Sequence, residues 1–376
     1  MKKTLRAILV TSVGMTACLG AAPSDAERGA WLEEFAALRA AMASGYANLD
    51  WMVAHRHLDL LALREATEME LGKARSERQA RRAIEQFVAS FHDPHLRVVA
   101  SQPAREQGRV ASEGKSCSDL GFEKGKRGFR FPFEKAEGWE EAGGPWFPAG
   151  SFRSVGVIRI AAFGEDKYRE ACEEVGPAHV RARLTAELRK TIGQLRERSI
   201  SMMVVDLTGN GGGTEWVAEV VRLFASGTLR RPKARRPAAD CDRMPIWNGK
   251  PVCPGLAQSG EATMEGEGAW SGPLAVLVDD GTASASEDFV VWMRGRENVT
   301  IVGQRTYGAG CGYVGGGAPA RLEKLGVTVL MPNCARFTAD GINEIEGIAP
   351  DVPLDLDEGD TARLETLLRQ RARLGS

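Results

Sequence analysis

Charge of one sign is what this sequence lacks most clearly. Across 376 residues, 49 Lys and Arg stand against 50 Asp and Glu, a net charge of −1. Such a chain has no global field to attract a nucleic acid, and the Arg-rich stretches at 75–82 and 230–236 read as solvated faces. The glycine-rich loop at 206–213 does not end in Gly-Lys-Ser or Gly-Lys-Thr, so it is not a P-loop, and its spacing does not fit a dinucleotide fingerprint. No Cys-x-x-Cys occurs, which argues against a zinc or redox motif. Internal repeats and low-complexity segments are absent as well. Histidine is scarce, at five residues, so candidates for a general base are few. What remains is an ordinary globular composition, 43% hydrophobic and 26% charged, long enough for one large or two medium domains.

The only candidate targeting element is at the start. Lys2, Lys3 and Arg6 precede an apolar run from Ala7 to Leu19 that is too short for a stable membrane anchor, so residues 1–26 read as an export signal. Met15-Thr16-Ala17-Cys18 resembles a bacterial lipoprotein box, which would leave Cys18 lipid-modified; cleavage after Ala22 or Ala26 is the competing reading. The expected location is the periplasm or, lipid-anchored, the envelope of a bacterium. Cys117, Cys172, Cys241, Cys253, Cys311 and Cys334 remain, an even number that permits disulfides. Fifteen pairings are possible. Cys241 with Cys253 would close a short loop, and Cys311 with Cys334 could clamp neighbouring strands.

Periodicity divides the chain. Residues 27–95 carry apolar side chains at three-to-four spacing (Trp31, Phe35, Leu38, Met42; Ile84, Phe87, Val88) and predict a helical cap. Residues 96–154 are Gly-rich and aromatic, and the alternation in Gly128-Phe129-Arg130-Phe131-Pro132-Phe133 predicts a strand within a β-rich insertion. From 155 to 356 strands and helices alternate, the mark of a layered α/β core: strands at 155–160, 201–207, 274–278, 299–302, 327–331 and 352–354, helices at 177–198 and 214–224. Residues 230–270 read as an excursion from this core. Residues 357–376 predict a charged C-terminal helix.

Chemistry concentrates where a strand meets a helix. The apolar run Leu274–Val278 and the turn Asp279-Asp280-Gly281 lead into Thr282-Ala283-Ser284-Ala285-Ser286-Glu287, with helical spacing beyond. A Ser at that junction faces unpaired N–H groups and a positive dipole end, which suits a nucleophile beside an oxyanion hole, although a helix cap by Ser284 or Ser286 fits the same pattern. The loop Asp206-Leu207-Thr208-Gly209-Asn210-Gly211-Gly212-Gly213 is either a tight turn or the second wall of such a hole. A Ser nucleophile needs a base, and His92 and His95, in Phe91-His92-Asp93-Pro94-His95, leave the cap toward the core. His55, His57 and His179 read as structural.

These segments, with Val302-Gly303-Gln304-Arg305-Thr306-Tyr307-Gly308 and Glu346-Gly347-Ile348-Ala349-Pro350-Asp351, occur in the order seen in carboxy-terminal processing (tail-specific) proteases, and the chain resembles that family over about 155–354. The resemblance implies a crotonase/Clp-like spiral ββα core, no metal or cofactor, and a polypeptide substrate. It implies Ser284 as nucleophile and the backbone N–H groups of Ala285 and Gly212 as oxyanion donors. The Lys of the family's Ser-Lys branch is missing, since its segment reads Gly308-Ala309-Gly310. The His-containing branch, which includes the tricorn protease core, uses an Asp-x-His loop and a late Glu; here these imply His95 as base and Glu346 as the group that orients it, with Glu344 as the alternative. Pro94 stands where that branch has a relaying Ser. No PDZ domain is expected between cap and core. Two other readings follow from these departures: an inactive binding or scaffold protein on the same fold, and a crotonase-like acyl-thioester enzyme, which export disfavours.

Overall fold

A computed structural model describes residues 22–101, 115–125, 127–355, 363–364 and 366–368. The export segment through Cys18 lies outside them, as does most of the expected C-terminal helix. Helices α1 (Asp25–Gly45), α2 (Leu49–Ala54), α3 (Leu60–Lys73) and α4 (Glu77–Ala89) form the N-terminal cap. Each of α1, α3 and α4 starts on an Asp or Ser whose side chain accepts a first-turn N–H. Phe35, Phe87 and Phe91 interlock edge to face in the cap core, with Trp247 against Phe87. This core also takes in Leu322, Val327 and Val329.

Strand β1 (Arg97–Ala100) leaves the cap but does not join a separate insertion; it pairs antiparallel with a late strand described below. Strands β2 (Trp139–Gly143) and β3 (Pro148–Phe152) continue through β4 (Val155–Arg159) into the central sheet, so the expected β-rich insertion is divided between two sheets. The predicted strand at 128–133 does not form. Pro132 has no N–H to donate to a ladder, and Phe129, Phe131 and Phe133 instead cluster ring against ring, reaching Trp139 and Phe152.

Helices α5 (Arg169–Val175) and α6 (Val180–Glu197) lead to β5 (Met202–Asp206), then α7 (Trp216–Leu223). Strands β6 (Ser226–Pro232) and β7 (Glu261–Glu267) pair as a separate ribbon. The core resumes with β8 (Leu274–Val278), α8 (Ala285–Met293) and β9 (Val299–Gly303). Strands β10 (Ala320–Leu322) and β11 (Val327–Leu330) form an antiparallel pair that receives β1, and β12 (Val352–Pro353) ends the described core. The central sheet runs β12-β9-β8-β5-β4-β3-β2, parallel from β12 to β4 and antiparallel beyond. Every residue of β4, β5 and β8 is buried, as in strands covered on both faces, and the Arg159 and Asp206 that end β4 and β5 pair with each other. The expectation of an α/β core is met.

All six described cysteines are paired: Cys117–Cys172, Cys241–Cys253 and Cys311–Cys334. The last joins the segments flanking the β10–β11 pair.

The parallel arrangement matters because the carboxyl ends of β5 and β8 lie side by side, and their loops open together at one edge of the sheet. Helix α8, which follows β8, is buried along its whole length. Its Phe289 is fully buried between Phe163 and Phe224. Phe289→Ala should therefore cost about 3–5 kcal/mol in chemical denaturation; a loss under about 1 kcal/mol would show that this helix is not anchored through its core face.

Candidate active site

Strand β8 ends in a turn held by one carboxylate. Asp279 Oδ1 accepts from the Gly281 N–H (3.1 Å), the Thr282 hydroxyl (3.1 Å) and, across the sheet, the Gly209 N–H (2.7 Å). The chain then turns sharply, and Ser284 takes φ 57° and ψ −113° as the residue before α8. A non-glycine residue in such backbone costs about 1–3 kcal/mol and persists only where its surroundings enforce it. Ser286 lies inside the fold, its hydroxyl buried and unpaired among the described residues. Ser284, in contrast, lines a cleft of about 670 Å³.

The loop after β5 is the facing wall. Asn210 staples it: its amide donates to Ile160 O (2.9 Å), its carbonyl accepts the Ala283 N–H (3.0 Å), and its Oδ1 accepts the Gly212 N–H (2.9 Å). Gly212 has φ 98°, and a Cβ there would lie 2.8 Å from both Ala285 N and Ser284 Cβ, so only glycine permits this approach. The Gly212 N–H, expected at the oxyanion position, is thus already engaged by Asn210. The neighbouring Gly211 and Gly213 line the cleft, as does Ala285, and no acceptor for the N–H groups of these three residues is present among the described residues.

His95 lines the same cleft. Its position is over-determined: Asp93 accepts its backbone N–H (2.9 Å), Tyr313 donates its hydroxyl to the His95 carbonyl, and the Tyr313 ring packs edge-on against the imidazole. Tyr46 and Asn48 of the cap hold the other Asp93 oxygen, at 2.9 and 3.1 Å. The imidazole Nδ1 lies 2.9 Å from Ala309 O. A carbonyl can only accept, so Nδ1 carries the proton and Nε2 keeps a free lone pair. Burial lowers the His95 pKa below its ordinary 6.5, against the opposing pull of Asp93, Ala309 and Glu287. The ring is therefore neutral at pH 7, as a general base must be.

The late acidic residues fall elsewhere. Glu346 Oε1 accepts from Trp51 Nε1 and Arg56 Nε, both at 2.8 Å, and no hydrogen bond joins Glu346 to His95 among the described residues. Partial burial raises its pKa, but these two donors more than offset that and hold it below the usual carboxylate range. Its link to the histidine is indirect: the same Arg56 donates to Phe91 O (3.3 Å) and His92 O (3.0 Å), at the root of the His95 loop. Glu344, the alternative, is fully buried against Arg336 (2.6 Å), and burial pushes it up to about 7. The short turn after Asn343 accounts for the split, directing one carboxylate inward and the other toward α2.

Two residues of the site were not foreseen. Glu287, read from sequence as a helix-start residue only, is fully buried and binds five donors. Its Oε1 takes the Thr306 hydroxyl (2.6 Å) and Gly308 N–H (2.9 Å); its Oε2 takes the N–H groups of Ser284 (2.8 Å), Ala309 (3.0 Å) and Gly310 (3.0 Å). The Ser-x-x-Glu spacing of a capping box was the available signal. Arg336 donates to Ser284 O (3.0 Å) and Gly310 O (3.1 Å), and nothing local in the sequence marks it.

The family model of peptidase family S41 matches residues 154–354, just over half of the chain. The carboxyl-terminal-processing protease of Synechocystis sp. is 28% identical over 159 residues, 42% of this chain and 29% of that protein. The chloroplastic C-terminal processing peptidase of Tetradesmus obliquus is 25% identical over 211 residues, 55% of this chain and 37% of that protein. The matches thus span about a third of the length of these curated relatives. Among solved structures, mature CPAF complexed with lactacystin superposes with a TM-score of 0.67 at 13% identity, covering 93% of this chain and 100% of the other. A crystal structure of a protein from Parabacteroides merdae gives 0.58 at 15% identity, covering 91% and 96%. At these identities the likeness is one of fold.

Because the Glu287 carboxylate has no spare acceptor capacity, Glu287→Gln should set an amide NH₂ against N–H donors. The expected outcome is a loss of about 3 kcal/mol in unfolding free energy together with loss of Ser284 reactivity. Unchanged stability and reactivity would mean that the five contacts do not hold the site.

Proposed function

Since the chain belongs to peptidase family S41, we propose that it is a serine peptidase that cleaves polypeptides through an acyl-enzyme, with Ser284 as nucleophile and His95 as general base. The observation that carries this reading is the His95 Nδ1 contact with Ala309 O, which puts the proton on Nδ1 and leaves Nε2 unprotonated on a residue that lines the same cleft as Ser284. His95 Nε2 takes the Ser284 proton as Oγ attacks the scissile carbonyl. The resulting oxyanion is met by the Ala285 N–H and by an N–H of the 211–213 glycines; Gly212 serves only if it leaves Asn210. Collapse of the intermediate expels the amine, which receives the proton from His95. Water then attacks the acyl-enzyme by the same route, returning Ser284 and releasing the acid.

Glu346 acts as a positioning residue in this scheme. Its hold on Arg56 fixes the carbonyls of Phe91 and His92, and thereby the loop that presents His95. Ala309 O and the nearby charges of Asp93 and Glu287 favour the imidazolium as it forms. Absence of a PDZ domain, as expected from sequence, would leave selection of the cut to the cleft. Pairing of all six described cysteines supports export to an oxidising compartment. Engagement of the Gly212 N–H by Asn210 favours a non-catalytic scaffold, as do Ala309 in place of the Lys and the placement of Glu346 on Trp51 and Arg56.

A fluorophosphonate probe separates the two. The wild type should be labelled on Ser284, Ser284→Ala should not be, and labelling should fall as pH drops through a value below 6.5, where His95 takes up a proton. Equal labelling of Ser284→Ala, or no labelling of the wild type at pH 8, contradicts the assignment.

A further inference from the structure

The three disulfides are not equivalent. Cys311 lines the nucleophile cleft, whereas no cysteine of the other two pairs does. Its partner Cys334 is fully buried. The bond therefore ends in the site, although nothing in the proposed acyl transfer uses its sulfurs.

Residues 309–314 form the segment that holds the base. Ala309 O meets His95 Nδ1 (2.9 Å), Tyr313 donates its hydroxyl to His95 O, and Gly312 packs so close that a Cβ there would stand 3.0 to 3.2 Å from the imidazole. Residues 333–336 form the segment that holds the nucleophile, since Arg336 donates to Ser284 O (3.0 Å). Cys311 lies two residues from Ala309, and Cys334 lies two residues from Arg336. The disulfide is thus a covalent link in the path from His95 to Ser284. Two further contacts run beside it: Asn333 exchanges a pair of hydrogen bonds with the Val314 backbone (both 2.9 Å), and Arg336 donates to Gly310 O (3.1 Å). Each gives only a modest net hold, because water competes for the same groups. The chain between the cysteines is no substitute, because it runs out through β10 and β11 before it returns 23 positions later.

We propose that the Cys311–Cys334 disulfide is a positioning element of the catalytic site, fixing the segment that orients His95 relative to the segment that holds Ser284. The inference rests on the peptidase reading above and deepens it: productive geometry between base and nucleophile requires this pair to be oxidised. A displacement of about 1 Å between reacting groups costs on the order of a hundredfold in rate, so a brace at this place acts on the chemical step rather than on substrate affinity. Glu287 does not duplicate it. Its bonds end at Gly310, and they leave Gly312 and Tyr313 to the disulfide and Asn333.

The test compares Cys311→Ser/Cys334→Ser with Cys241→Ser/Cys253→Ser as the control pair, by fluorophosphonate labelling and by peptide hydrolysis. The rate constant of labelling and the final labelled fraction are read separately. A bond that only stabilised the fold would lower the fraction of competent molecules and leave the rate of each one unchanged. Loss of Cys311–Cys334 should instead lower the labelling rate constant and kcat by about tenfold or more, with KM within about twofold and nearly full labelling at the end point. The control pair should match the wild type. If the cleft variant does not fold, dithiothreitol acting on the folded wild type replaces it: one thiolate attacks Cys311 Sγ, Cys334 departs as the thiolate, and the second thiol of the reagent closes its own disulfide and frees Cys311. Peptide mapping after alkylation gives the open fraction of each pair, and the labelling rate should fall in step with Cys311–Cys334 and recover on re-oxidation. A rate that keeps its wild-type value when this pair is open, or that follows another pair, overturns the proposal; so does a lowered end point at an unchanged rate constant. A wild type that takes no label overturns the peptidase reading and this inference with it.

Discussion

One buried carboxylate holds the candidate catalytic centre together. Glu287 ties the N–H of Ser284, at the start of α8, to three successive N–H groups of the segment 308–310 and to the Thr306 hydroxyl. Those N–H groups belong to two glycines at φ 85° and 60° with Ala309 between them, a turn that points its donors inward. The carbonyl of that same Ala309 meets the imidazole of His95. Ser284 and His95, 189 positions apart in sequence, are thus referred to one anchor. The unfavourable backbone of Ser284 is sustained by the same bond and by Arg336 on its carbonyl.

On the proposed mechanism, this anchor would let the site dispense with the Lys that a Ser-Lys arrangement carries. Ala309 has no side chain that reaches the nucleophile, but its peptide group acts on both sides: the N–H binds Glu287 and the carbonyl sets the tautomer of His95. In the proposed mechanism a carbonyl would take the orienting part that a carboxylate plays in a Ser-His-Asp triad. It supplies less charge; burial lowers the His95 pKa, and the pull of Asp93, Ala309 O and Glu287 opposes that only in part, with Arg336 against them. Glu346, displaced to Trp51 and Arg56, would contribute only through the shape of the loop that Arg56 holds.

Much of this architecture was legible because it rests on local chemistry. The run Leu274–Val278 declared a buried strand, and helical spacing after it placed Ser284 at a helix start; the Gly-rich loop after β5 and the Asp93-Pro94-His95 turn were visible for the same reason. Long-range partners were not legible. The contact between His95 Nδ1 and a backbone carbonyl leaves no trace in residue type, and neither does the choice of Asn210 for the Gly212 N–H. Arg336 reaches Ser284 from 52 positions away. The aromatic alternation at 128–133 misled because period-two spacing fits a cluster of stacked rings as well as a strand, and Pro132 was the deciding residue.

The central claim is that His95, held by a peptide carbonyl, activates Ser284 for acyl transfer without a lysine. Pre-steady-state hydrolysis of an activated peptide ester tests it most directly. The account predicts a burst approaching one equivalent in the wild type at pH 8, slowed by several orders of magnitude in His95→Ala and partly restored by added imidazole. A burst of unchanged rate in His95→Ala would contradict it.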